Sequence, residues 1–147
     1  MALMCTAIGC GGPPAVHAAP RPASHFAIAF ERSGGLKASV ETLVVRPGLR
    51  AYATAPRGKH EATANFRMNA RTAEELRKEL AKAHFTHLGR TSNSGTCADC
   101  YVYSITYHGH TAQFLDSKVP DRVGEVIDKL EGEVIAHIYR HVGYREI

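Results

Sequence analysis

No stretch of this chain approaches the ~20 consecutive apolar residues that a membrane-spanning helix needs, which leaves a domain off the membrane or held there by lipid alone. There is no G-x-S-x-G elbow, no phosphate-cradling glycine loop and no dinucleotide fingerprint, so the common nucleophilic, nucleotide-hydrolysing and dinucleotide-dependent chemistries lack their usual signatures. Cysteine is scarce: four residues in 147, with a single C-x-x-C and no second spaced pair. That is too little for the paired C-x-x-C arrangement of all-cysteine structural zinc sites. No internal repeat is present, which removes solenoids and propellers.

What remains is an ordinary globular composition. The 147 residues suffice for one domain with its own core, and 44% hydrophobic against 22% charged residues argues against wholesale disorder. The net charge of +4 is unevenly spread. Residues 1–71 hold nine Lys/Arg against three acids, a balance of +6, whereas residues 72–147 hold nine against eleven, a balance of −2. A basic excess in the first half suits an anionic partner, although net charge speaks first to solubility.

The first 24 residues, MALMCTAIGCGGPPAVHAAPRPAS, are rich in Ala, Gly and Pro and show no periodicity. They read as the remnant of an export signal or a disordered tail. Ala7-Ile8-Gly9-Cys10 approximates a lipobox, which makes Cys10 the candidate for lipidation, and Val16-His17-Ala18 offers a competing small-x-small cleavage site. Neither has the basic residue that usually precedes the apolar run, as if the signal started further upstream. Residues 25–147 are expected to form a single α+β domain.

Alternation places Phe26, Ile28 and Phe30 on one face of a first strand, with Ser33-Gly34-Gly35 as a tight turn. A second strand alternates at Val40, Thr42 and Val44 and stops at Pro47-Gly48. LRAYATA makes a third strand, and a fourth sets Ala62, Ala64, Phe66 and Met68 on one side. The period then becomes helical. Thr72-Ala73-Glu74-Glu75 has the form of a capping box, Leu76, Leu80 and Ala83 share a face, and Glu74 with Lys78 makes an i,i+4 pair. A helix over 73 to about 84 follows, then a plug by Phe85 and Leu88. Tyr101, Tyr103, Ile105 and Tyr107 alternate in a strand that turns at His108-Gly109. After Pro120 a long helix carries Val123, Val126, Ile127, Leu130, Val134, Ile135 and Ile138. The expected fold is an antiparallel sheet (four-strand meander, helix, two-strand hairpin, helix) with both helices on one face.

Candidate chemistry concentrates in GTCADCYVYSITYHGHTAQF. Cys97 and Cys100 supply two zinc ligands and His108 or His110 could serve as another, but a single C-x-x-C without a second spaced pair is a weak zinc signal. A redox C-x-x-C sits at a helix N-terminus, whereas this one precedes a strand and encloses Asp99. A local disulfide between Cys97 and Cys100, stiffening the loop–strand junction of an exported protein, is the favoured reading. His137 and His141 are one turn apart but lack the glutamate of H-E-x-x-H and a third ligand, so they read as cations at a helix C-terminus. His84 and His87 straddle a helix end in the same way. Glu31 and Glu41 have nothing to position them as an acid–base pair. The strand tyrosines are better explained as a half-buried face than as a stacking platform for nucleic acid.

Three stretches together, FAIAFERSGGLKASVETLVV, LRKELAKAHFTHL and DCYVYSITYHGHTAQFLDSKVPDRVGEVIDKL, resemble the protealysin-inhibitor (emfourin) family. The likeness covers residues 26–131. It places Ser33-Gly34-Gly35 at the first turn, Phe85 at the aromatic plug, Tyr101 to Tyr107 in the hairpin, Asp116 and Pro120 in the link, and Leu130 in the closing helix. The resemblance implies a non-enzymatic inhibitor of thermolysin-like zinc metallopeptidases that occupies the target's active-site cleft. The chain departs from the family pattern at Lys37-Ala38, in a longer stretch 46–64, and in the loop 89–100.

The expected function is therefore an exported protein-binding domain, not an enzyme, with no cofactor and no nucleic-acid partner. It would reside in the bacterial cell envelope, periplasmic or lipid-anchored, or be secreted. The alternative is an envelope lipoprotein that binds an anionic polymer through a basic sheet face.

Overall fold

The structure is a computed structural model that describes residues 25–89 and 97–140. The fold is α+β. Six strands form one antiparallel sheet: β1 (Ile28–Gly34), β2 (Ser39–Arg46), β3 (Arg50–Arg57), β4 (His60–Arg67), β5 (Tyr101–Tyr107) and β6 (His110–Leu115). Their spatial order is β4-β3-β2-β1-β5-β6, so the hairpin that follows the first helix docks against β1 rather than extending from β4. Two helices, α1 (Ala70–Lys82) and α2 (Asp121–Val134), pack on one face of the sheet; α2 continues into a π-helical turn over Ile135–Tyr139.

The core lies between sheet and helices. Phe26, Ile28, Phe30, Leu43, Val45, Ala51, Ala53, Ile105 and Phe114 face it from the strands. Leu76 and Leu80 face it from α1, and Val123, Val126, Leu130 and Val134 from α2. Side chains alternate along a strand, so β2 turns Glu41, Leu43 and Val45 inward. The Val40, Thr42 and Val44 set faces outward, with Val40 46% exposed. Phe85 and Leu88 are buried as the expected plug.

Local chemistry moved several boundaries. Helix α1 starts at Ala70, not at the Thr72 capping box, because Asn69 caps it: its side-chain oxygen accepts from the Arg71 N–H at 2.8 Å. Asparagine is among the best N-caps, and with that donor satisfied Thr72 lies inside the helix. Glu74 pairs with Arg77 rather than Lys78, since the guanidinium meets both carboxylate oxygens at 2.8 and 2.6 Å. The first turn is also displaced. Ser33 and Gly34 belong to β1, and the chain reverses over Gly35–Ala38, closed by the Ala38 N–H donating to the Gly35 carbonyl at 3.0 Å. The hairpin turn at His108-Gly109 is as expected, with φ of 50° and 73°, the type I′ signature. In α2 the apolar stripe runs through Val134 to Ile138, while Ile135, one residue round the helix, is 46% exposed.

Candidate functional site

The feature that stands out from this frame is the β1–β2 tip. Leu36 is 87% exposed, the most exposed large hydrophobic residue among those described. A single exposed leucine is ordinary; this one is held by its surroundings. Gly34 and Gly35 take φ of 115° and 73°, which L side chains rarely adopt. A Cβ on Gly34 would overlap the Cys100 carbonyl oxygen, and one on Gly35 would come within 2.8 Å of the Tyr101 ring. The Gly35 N–H donates to the Cys100 carbonyl at 3.2 Å.

Beneath the glycines lies the other half of the site. Cys97 and Cys100 form a disulfide with Cα atoms 5.4 Å apart. Their closed loop holds the Cys100 carbonyl where Gly35 needs it. The start of β5 is fixed from its far side, where the Asp116 carboxylate accepts from the Tyr101 N–H at 3.3 Å. On the Tyr101 ring sits the Arg32 guanidinium, 4.5 Å from the centroid, a cation–π contact. Arg32 bonds Glu41 on the neighbouring strand and Glu131 on α2, each at 3.0 Å. Burial lowers the guanidinium's proton affinity, but the two carboxylates outweigh it and the pKa is raised. Glu41 is completed by the Tyr139 hydroxyl, 3.2 Å from both Glu41 Oε1 and the Pro56 carbonyl. Burial, then the Glu41 charge, raises the Tyr139 pKa, so the phenol stays protonated. The π turn thus brings Tyr139 over the hairpin ends, and charge, ring and backbone stack from the closing helix out to Leu36.

A groove of about 860 Å³ runs between the β1–β2 and β3–β4 tips. Leu36, Val40, Pro56 and Tyr101 give it apolar surface; Lys37 and Lys59 oppose Glu61 and Asp99 along it. No reacting constellation converges there among the described residues. Its lining mixes apolar surface with both signs of charge.

The other sequence candidates go elsewhere. Glu31 is exposed on the face without helices, opposite in sense to the buried Glu41, so the two never meet. His137 stacks on Phe66 with ring centroids 3.5 Å apart and its Nδ1 lies 2.9 Å from the Glu133 carbonyl. His110 Nε2 lies 2.7 Å from the Leu88 carbonyl, with the ring edge-on to Phe85. His84 takes a left-handed φ of 48° at the end of α1, and His87 closes the short turn after it. Among the described residues no group of three His, Cys, Asp or Glu side chains could hold a metal. Tyr103 and Tyr107 are half-buried against the core. Cys10 and His141 lie outside the described residues.

Sequence reasoning missed Leu36, Arg32, Glu131 and Tyr139. Leu36 alone had a local signal, an apolar residue directly after Gly-Gly in a turn. Arg32 meets Glu131 across 99 positions and Tyr139 meets Glu41 across 98, separations that no motif spans.

No protein-family model matches the chain, and no curated protein matches it. The disulfide fits an oxidising compartment, and no helix of the described residues is long and apolar enough to cross a membrane.

Proposed function

We propose that this protein is an exported, non-enzymatic protein-binding domain that inhibits a thermolysin-like zinc metallopeptidase by placing its β1–β2 tip in the target's cleft. One observation carries the reading: an almost fully exposed Leu36 on a turn whose backbone is fixed by two glycines and the Cys100 carbonyl. A segment rigid before binding loses little conformational entropy on binding, and an apolar anchor in a pocket supplies most of the affinity. The emfourin resemblance names the class of target. Cell-envelope or secreted residence agrees with the disulfide.

The test is a titration of the full chain against a thermolysin-like peptidase, reading cleavage of a small peptide with and without added zinc. Stoichiometric loss of activity that zinc does not restore, and that Leu36→Asp abolishes, supports the proposal. Full activity at large excess of inhibitor removes the peptidase as target. Inhibition that survives Leu36→Asp removes the tip as the inhibitory element.

A further inference from the structure

The end of the sheet away from Leu36 carries an arrangement that the inhibitor reading does not use. Arg46 of β2 stands directly opposite Arg50 of β3, and Arg50 directly opposite Arg67 of β4. All three are exposed. Their strand neighbours Val45, Ala51 and Phe66 turn toward the helices, so alternation puts the three guanidiniums together on the bare face. With strands ~4.8 Å apart, the row is ~10 Å from end to end at the backbone.

Like charges directly opposite one another destabilise a sheet, and here nothing within the described chain relieves them. None of the three makes an ion pair among the described residues. The acids on the same face are remote. Glu31 is opposite Thr42, four residues along β2 from Arg46, or ~13 Å at ~3.3 Å per residue. Glu61 is six residues from Arg67 on β4, or ~20 Å by the same rise. Both exceed the ~8 Å over which charges act at physiological salt. Beyond Arg46 the row opens into a groove of about 460 Å³, floored by Ala27 and Val44 and edged by His25, Thr106 and His108. Tyr52, 40% exposed, lies on the same face two residues along β3 from Arg50.

We propose that Arg46, Arg50 and Arg67 form a binding site for an extended phosphodiester polymer of the cell envelope, laid across β2, β3 and β4. A linear array of cations matches a polymer with regularly repeated anions better than one compact anion. The guanidinium fork pairs with phosphate oxygens two at a time, which an ammonium cannot do, and all three positions are arginine. The oxidising compartment that the disulfide fits favours an envelope polymer over nucleic acid. The exposed sheet face, with Tyr52 as the aromatic ring beside the row, favours a polymer over insertion into a bilayer.

The experiment uses the full chain and a short synthetic poly(glycerol phosphate), followed by fluorescence anisotropy. The proposal expects saturable binding that weakens with added salt. Replacing all three arginines by glutamine should lower affinity by about tenfold or more, and replacing all three by lysine should lower it by a smaller but measurable factor, because charge without the fork is retained. Lys37→Gln with Lys59→Gln, and Leu36→Asp, should leave it unchanged, which separates this site from the inhibitory tip. The glutamine variant removes repulsion, and circular dichroism should show it folded. Undiminished binding by the glutamine variant overturns the proposal. So does full affinity in the lysine variant, or tighter binding to polyglutamate, to phosphatidylglycerol vesicles or to a single-stranded oligonucleotide.

Discussion

At the Ser39 end of β2 the most exposed large apolar group is a leucine on a backbone held from beneath by a disulfide loop, a tyrosine ring and an arginine. At the Arg46 end the exposed groups are three guanidiniums on ordinary extended strands, with no ion-pair partner among the described residues. The first end uses unusual backbone to fix a shape: two glycines in left-handed conformations and a carbonyl aimed at one N–H. The second end also turns through positive φ, at Gly48 (83°) and Leu49 (64°), but nothing lies within 4 Å of a Cβ on Gly48, and its arginines add electrostatic repulsion. The two ends respond to different changes. The close backbone approach at the tip admits no added methyl group. Repulsion in the row responds to salt and to charge removal.

The contrast breaks hardest at Gly34. Gly34→Val forces a side chain into the Cys100 carbonyl at a φ of 115°, and should cost about 2–3 kcal/mol in urea unfolding together with inhibition. Leu36→Ala is the complementary change. It should leave the melting temperature within about 1 °C, since the side chain is 87% exposed, and weaken target binding roughly tenfold or more. Opening the staple with Cys97→Ser and Cys100→Ser together should lower unfolding free energy by no more than about 2 kcal/mol, because the closed loop is short. Its larger effect should be on the dissociation rate of the target complex, read by surface plasmon resonance. At the other end, Arg50→Thr removes the middle charge and inserts a good strand former. It should raise stability by roughly 0.5 kcal/mol at low ionic strength and less at high salt.

The smallest expected effect tests the helix that supports both ends. Burial raises the Glu133 carboxyl above its usual range, with His137 pulling the other way. A raised folded pKa means that the fold prefers the protonated acid. That preference is fully present below the unfolded value of about 4.3 and is lost as pH rises through the folded value. Glu133→Gln should therefore melt a few degrees at most above the parent at pH 7, with the gap closing toward pH 4. Differential scanning calorimetry at the two pH values decides it.

Much of the fold was legible because it is written locally. Period-two runs and glycine turns placed the strands, and Leu76 with Leu80 and Val123 through Val134 placed the helices. The errors were also local, and competition explains them. Asn69 captured the helix start that Thr72 advertised, and Arg77 outcompeted Lys78 for Glu74. The half of the site closest in sequence, Cys97 with Cys100, was visible as a staple, but its purpose was not, since the Gly35 it holds is 65 positions away. The arginine row was legible only as a charge balance. Pairing register, which turns scattered residues into a line, cannot be read from composition.

Strand order also has a consequence in time. β1 leads the described chain yet sits in the middle of the sheet, and its second neighbour, β5, begins at Tyr101. A ribosome delivers the meander first, but Phe30, Leu43 and Val45 keep one side uncovered until Val123–Leu130 emerge and fold back over them. Local pairing can form early; closure must wait for contacts between distant parts of the chain, which are the slow ones to make. Among the described residues, the sheet face that carries Phe30, Leu43 and Val45 therefore closes only when α2 is present.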